Sequence, residues 1–263
     1  MKYIPKELMK EIREKYITIG DNPDYDCSND CRRIASRRIR KNAQIHSYRI
    51  ENPFLKVPFS VPRNVRKKEI NYGVKNIETA FAWGINNFDP SSFDESFIRE
   101  IALRITPELY NTPIALYRNT GISITGASTT PPYPEKLVEK EIPWFVESLK
   151  RQLSCKDIIA KIESAIFAHL HLARIHPFKD GNGRTARTVQ DIILYYYGIP
   201  SPLIESGERH SYYQSLDRAI LGWDERKALE IHNGASEGEN SFYTFIAGKI
   251  NSSLDKLVCR CRD

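Results

Sequence analysis

Residues 175–187 read IHPFKDGNGRTAR. A histidine, a carboxylate, two glycines, an asparagine and two arginines fall within a dozen positions, between two helical patterns. Upstream, KDIIAKIESAIFAHLHLARI (residues 156–175) sets Ile159, Ile162, Ile166 and Leu170 on a helical stripe, and Pro177 ends the run. Downstream, RTARTVQDIILYYYGIP (residues 184–200) places Val189, Ile192, Ile193 and Tyr196 on one face, with Gly198 and Pro200 as its stop. The quoted stretch therefore joins two buried helices, and the centre of the fold is helical.

The residue types in that loop suit a polyanion. Gly181 and Gly183 permit left-handed backbone and close approach of a ligand. They stand where a helix begins, so free amide N–H groups leave the loop with the positive end of the helix dipole behind them. Arg184 and Arg187 are three apart and share a face, and two forked guanidiniums favour a multiply charged phosphate. Asp180 offers a hard oxygen of the kind Mg²⁺ takes beside a polyphosphate. His176 suits a general base near neutral pH, and Phe178 suits an anchor in the core. Together these suit transfer of a group from a nucleotide to a hydroxyl.

Other sites fit less well. His169 and His176 are about 10 Å apart along a helix, too far to share a zinc ion. His169 and His171 project in different directions, as packed residues. GNG lacks a third glycine and follows a helix, and no GxxxxGK[ST] segment exists, which excludes dinucleotide and P-loop motifs.

Outward from the loop, helical spacing returns in residues 69–84 through Ile70, Val74, Ile77 and Phe81, and again in DESFIREIALRITPEL (94–109). Residues 115–137 differ. Ile122 and Ile124 alternate with polar residues, a turn falls at Thr125-Gly126, and Pro131-Pro132 stops the run; this predicts a short β-hairpin or extended flap. The proline-rich stretch 52–62 ends a helix and cannot be a central strand. The polar stretch 21–30 reads as a loop. The start reads as an amphipathic helix rather than a secretion signal, and no apolar run approaches a membrane span.

The chain has 263 residues and a formal net charge of +6, much of it in CRRIASRRIRK (31–41). Nucleic acid is not the expected partner: Arg32, Arg33, Arg37, Arg38, Arg40 and Lys41 read as the solvated side of a helix whose other side carries Ile34 and Ile39. Five cysteines, at 27, 31, 155, 259 and 261, suggest reduced thiols and a cytoplasmic setting. A zinc site from Cys27, Cys31, Cys259 and Cys261 would need the termini to meet, and its spacings do not match common structural motifs.

HPFKDGNGRTAR (176–187) resembles the signature of the Fic family, HPFx[D/E]GNGRxxR, at every specified position. The resemblance implies an all-α, Fic-type helical bundle that transfers a nucleotide monophosphate, usually AMP from ATP, to a protein hydroxyl. It implies His176 as base, Asp180 as Mg²⁺ ligand, and Gly181, Asn182 and Gly183 as the anion hole. Arg184 would hold the distal phosphates and Arg187 the γ-phosphate. A flap at about 119–130, through Ile124, Thr125 and Gly126, would dock a target segment by strand addition. HSYYQSL (210–216), with Tyr212, is similar to the family's aromatic segment near the adenine. SYRIEN (47–52) resembles the family's inhibitory pattern [S/T]xxxE[G/N], which implies that Glu51, with Ser47, occupies Arg187 and holds ATP in an unproductive pose.

The likeness runs from about Ala43 to Phe245, which suggests a helical extension over 1–42 and a catalytic domain over 43–263. No winged helix or helical-repeat module is evident, and Lys179 decides nothing. An autoinhibited AMP-transferase is the leading expectation, acting on a Ser, Thr or Tyr hydroxyl, with self-modification and homo-oligomer formation left open. Hydrolytic removal of AMP, a non-catalytic nucleotide-sensing module whose basic helix binds nucleic acid, and other donors such as UTP, GTP or a phosphocholine conjugate are the alternatives.

Overall fold

A computed structural model of the chain describes residues 3–20, 30–52, 63–124, 126–231 and 234–258. The stretches 21–29 and 53–62, Thr125, and Cys27, Cys259 and Cys261 lie outside the described residues, so the four-cysteine arrangement does too. Among the described residues ten α-helices follow in order: α1 (Lys6–Ile19), α2 (Asp30–Glu51), α3 (Arg63–Asn87), α4 (Glu95–Ile105), α5 (Pro134–Lys136), α6 (Ile142–Leu153), α7 (Ile158–Ile175), α8 (Asn182–Tyr196), α9 (Arg209–Ala228) and α10 (Glu237–Val258). A π-helical turn, Leu137–Glu141, links α5 to α6.

α7 is the centre. The sequence stripe predicts one buried face, but α7 is buried on nearly every side from Ile159 to Ile175. A helix enclosed all round must pair its polar groups internally. Glu163 accepts from the Tyr3 N–H at 2.7 Å, Ser164 donates to the Ala160 carbonyl at 2.7 Å, and Arg174 donates to Glu141 at 2.5 Å. α8 lies antiparallel against α7, α9 pairs with α10, α3 and α4 cover α8, and α1 packs on α10.

α8 buries Val189, Ile192 and Ile193 as expected, but Tyr196 is half exposed, touching Phe88 edge-on with centroids 5.3 Å apart. Its end follows the sequence reading. Gly198 has φ 68°, the Gly198 N–H donates to Tyr195 O at 2.9 Å and the Ile199 N–H to Leu194 O at 2.9 Å, a Schellman closure.

In α2, Arg33, Arg37, Arg38 and Lys41 are exposed and Ile39 is buried. Two expectations are corrected there. Ile34 is 44% exposed, and Arg40 leaves the solvated side to lie 5.2 Å from the ring centres of both Phe81 and Tyr195. The boundary expected at 42/43 falls inside α2.

The β-hairpin is also corrected: among the described residues there is no strand. Among the described residues of 115–133 there is no ladder, and the Ala127 N–H donates to Ile124 O at 3.1 Å. An isolated two-stranded ribbon is marginal in water, and Pro131-Pro132 offers no amide donor to pair. Side-chain ties to the helices take the place of the ladder.

Candidate functional site

The site is built where α7 stops and α8 starts. His176, the residue after α7, is left-handed at φ 50° and ψ 56°, and its N–H closes on Leu172 O at 3.0 Å. Phe178 is wholly buried and pins the turn. Asn182 closes the loop on itself: its Oδ1 accepts from the Phe178 N–H at 2.8 Å and its Nδ2 donates to Phe178 O at 2.8 Å. The Asn182 side chain is spent on the loop, leaving only its backbone N–H for a ligand.

The two glycines have different reasons. Gly181 is left-handed at φ 74°, and an added Cβ would sit 3.0 Å from both Ile105 and Thr106. Gly183, expected to use the same freedom, lies inside α8 without a positive φ. An added Cβ there would collide with Glu51 Oε1, so close approach is what excludes a side chain.

Glu51, the last residue of α2, points at the start of α8. Its Oε2 accepts from Arg184 Nε at 2.8 Å and its Oε1 from Arg187 Nη2 at 2.7 Å. A carboxylate at a helix C-terminus is disfavoured by its own dipole; here the positive end of α8 and two arginines offset that. One acid thus bridges both arginines rather than Arg187 alone. Arg184 also reaches Asp180 at 3.1 Å. Burial opposes charge on both arginines, but Glu51 raises the pKa of each, with Asp180 adding to Arg184 and Tyr212 to Arg187.

Arg187 is held on all sides. Nε donates to Ser47 Oγ at 2.8 Å, Nη2 also to Ser47 O at 3.0 Å, and Nη1 to Tyr212 Oη at 3.1 Å. Tyr212, expected beside an adenine, is wholly buried beneath Arg187. Having accepted from Arg187, its hydroxyl donates to His169 Nε2 at 2.8 Å, so His169 Nδ1–H donates to Gln190 Oε1 at 2.8 Å. Burial, then Arg187, pushes His169 down to about 3, and it stays neutral. His169 and His171 are both buried, and among the described residues no three His, Cys, Asp or Glu form a metal cluster. The half-buried aromatic next along is Tyr213, with Arg209 over its ring at 4.9 Å.

The His176 imidazole has Nδ1 3.2 Å from Ala173 O. A carbonyl only accepts, so Nδ1 carries the proton and Nε2 keeps its lone pair. Burial is the main cause of a pKa below the ordinary 6.5, which keeps the ring neutral and able to take a proton. Asp180 is exposed, so one hard oxygen beside an anion site fits Mg²⁺ bound by one carboxylate and substrate phosphates.

In the flap, Ile124 is half-buried and Gly126 exposed at φ 83°. Sequence reasoning missed the residues that hold the site in place. Arg118 donates to His176 O at 2.7 Å, Arg209 to Ile50 O at the end of α2 at 2.7 Å, and His46 Nδ1 accepts from the Ser206 N–H at 2.9 Å. Each acts across 58 or more positions, so no local spacing marks it.

Residues 92–194 match the Fic/DOC family. Residues 92–194 are thus a Fic domain, which takes in the loop, α7 and most of α8. It is 37% identical over 125 residues to Protein adenylyltransferase Fic of Nematostella vectensis, covering 48% of this chain and 28% of that protein. It is 39% identical over 129 residues to Protein adenylyltransferase fic-1 of Caenorhabditis elegans, covering 49% and 24%. The matches thus span about a quarter of each relative. In fold, the chain is similar to a Fic-domain-containing signaling protein from Bacteroides thetaiotaomicron (TM-score 0.72, 19% identity, 97% and 98% of the two chains). It is also similar to a Fic-1 fragment from Caenorhabditis elegans (TM-score 0.70, 20% identity, 98% and 72%).

Proposed function

We propose that the protein is an autoinhibited protein adenylyltransferase that moves AMP from ATP to a Ser, Thr or Tyr hydroxyl of a protein. The observation that carries this reading is Glu51 spanning Arg184 and Arg187 above the free amides of α8. That is an anion site closed by the protein's own carboxylate, beside a histidine whose Nε2 can accept a proton.

With Glu51 withdrawn, the α8 amides and the two arginines receive the phosphates. His176 Nε2 takes the proton of the target hydroxyl as its oxygen bonds to the α-phosphorus. The bond from that phosphorus to the bridging oxygen breaks, and pyrophosphate leaves with the electron pair. Asp180 would hold Mg²⁺, which neutralises phosphate charge when bound. The flap would lay the target segment across the site, and Tyr213 offers an aromatic edge near the nucleoside side. Among the described residues no helix is long and apolar enough to cross a membrane, and the thiol content favours a cytoplasmic setting.

The test compares wild type, Glu51→Gly, and Glu51→Gly with His176→Ala. Each is incubated with Mg²⁺ and separately with α-labelled ATP, UTP and GTP, and label on protein is scored. Labelling from ATP in Glu51→Gly alone supports the reading. Labelling that survives His176→Ala, or none from any donor, removes it.

A further inference from the structure

Arg118 is 6% exposed and lies at the upstream neck of the flap, 58 positions from His176. Every acceptor it reaches is a backbone carbonyl. Nε donates to His176 O at 2.7 Å and Nη1 to Thr120 O at 3.0 Å, while Nη2 reaches both Pro132 O and, at 3.4 Å, Ile175 O. The Arg118 N–H adds a bond to Pro177 O at 2.9 Å. Among the described residues no carboxylate is bonded to it, and Glu135 is the acidic group it senses.

These bonds join three things. The Ile175 and His176 carbonyls belong to the end of α7, where carbonyls have lost their helical partners and carry the negative end of the dipole. Arg118 caps them with a fixed cation. The Thr120 and Pro132 carbonyls are the two sides of the flap's neck, twelve positions apart, and one planar fork gathers both. His176 is left-handed, a conformation that costs energy in a residue with a Cβ, so its carbonyl must be held from outside. Its imidazole is oriented on Ala173 O one turn back.

We propose that Arg118 is a positioning residue that makes the base and the target-docking flap one rigid unit, so that a target laid on the flap arrives in register with His176 Nε2. The inference rests on the transfer reading for its purpose, but its structural content stands apart. Asp217 provides the contrast. From α9 it accepts the Ser128 N–H at 3.0 and 3.1 Å and the Thr129 hydroxyl at 3.2 Å, tying the far limb of the flap without touching His176.

The experiment follows His176 by NMR of labelled histidine and flap amides by hydrogen exchange in wild type, Arg118→Lys, Arg118→Gln and Asp217→Ala. In folded Arg118→Lys, the His176 titration is expected to move toward 6.5 as the ring loses its buried seat, with faster exchange at residues 118 and 128. Asp217→Ala is expected to speed exchange at Ser128 alone. In the Glu51→Gly background, Arg118→Lys is expected to keep ATP affinity within about twofold while transfer at saturating ATP drops by roughly ten- to a hundredfold, the size of an ångström-scale misplacement.

An unchanged His176 titration and unchanged flap exchange in folded Arg118→Lys overturns the proposal. So does loss of ATP affinity in step with transfer, which marks general damage. Should both substitutions unfold the chain, wild type decides: Arg118 Nε–H must exchange more slowly than that of exposed Arg37, and equal rates overturn the clasp. Absence of transfer in Glu51→Gly itself removes the adenylyltransferase reading, while the NMR and exchange results still decide Arg118.

Discussion

Glu51 occupies the space that a Cβ on Gly183 would need, with the two residues 132 positions apart in the chain. The Glu51 carboxylate and the bare glycine are therefore one fitted contact. Gly183→Ala is expected to displace the Glu51 carboxylate from its two arginines; the overpacking costs about 1–3 kcal/mol, and the helix propensity of Ala over Gly returns roughly 1 kcal/mol of it. In the Glu51→Gly background the same change should cost clearly less. A double-mutant cycle by denaturant unfolding measures this, and equal costs in both backgrounds would show that the two positions do not meet.

Removing the acid has a second consequence. Arg184 and Arg187 are largely buried, at 10% and 6% side-chain exposure, so Glu51→Gly leaves two close cations without their shared partner. Breaking a buried pair costs roughly 3–5 kcal/mol, here offset in part by Arg187's bonds to Ser47 and Tyr212. Glu51→Gly should melt lower than wild type and recover more of its Tm on adding Mg-ATP, because the phosphates replace the missing charge. Thermal melts with and without nucleotide check it; equal nucleotide shifts in both proteins count against Glu51 as the occupant of the anion site.

His176 sets a pH limb. Its imidazole is neutral when it acts, and burial holds its pKa below 6.5. Transfer by Glu51→Gly should stay level as pH falls to 6.5 and be lost only below it, as the ring becomes protonated. A midpoint above 6.5 in the rate profile would contradict the buried, Ala173-oriented ring.

Asp191 carries a stability cost near neutral pH. Burial pushes its carboxyl up to about 7, and among the described residues its Oδ1 has no hydrogen-bond partner. Its folded pKa exceeds the ordinary 3.8, so its contribution is fully present below that value and is lost as pH rises toward 7. The displacement corresponds to roughly 4 kcal/mol. His169, lowered from 6.5 to about 3, has the opposite sign: its contribution is present above 6.5 and is lost as pH falls through about 3. Asp191→Asn should therefore gain stability over wild type at pH 8 and little at pH 4. Unfolding curves at the two pH values test it, and an equal effect at both would refute the raised carboxyl.

Much of the site was legible because its parts are close in sequence. From His176 to Arg187 the geometry follows from local rules: a helix stop, a left-handed glycine, a helix start, and two arginines one turn apart. The Schellman closure at Gly198 was legible for the same reason. Tyr196 and Ile34 were misread because helical periodicity identifies a face but not where the neighbouring helix runs out. The β-hairpin was misread because alternation over a few residues does not say whether a partner strand exists to complete a ladder.

The sequence by itself determined a helical protein with a glycine- and arginine-bearing loop between two buried helices, since hydrogen bonds at helix ends and apolar spacing act within a few residues. The tertiary structure alone decided that Glu51 bridges both arginines, that Tyr212 supports Arg187 from beneath, and that Arg118 ties the flap to His176. Those contacts join residues 25 to 136 positions apart. Only packing of the helices brings such groups within hydrogen-bonding distance, and no local spacing encodes it.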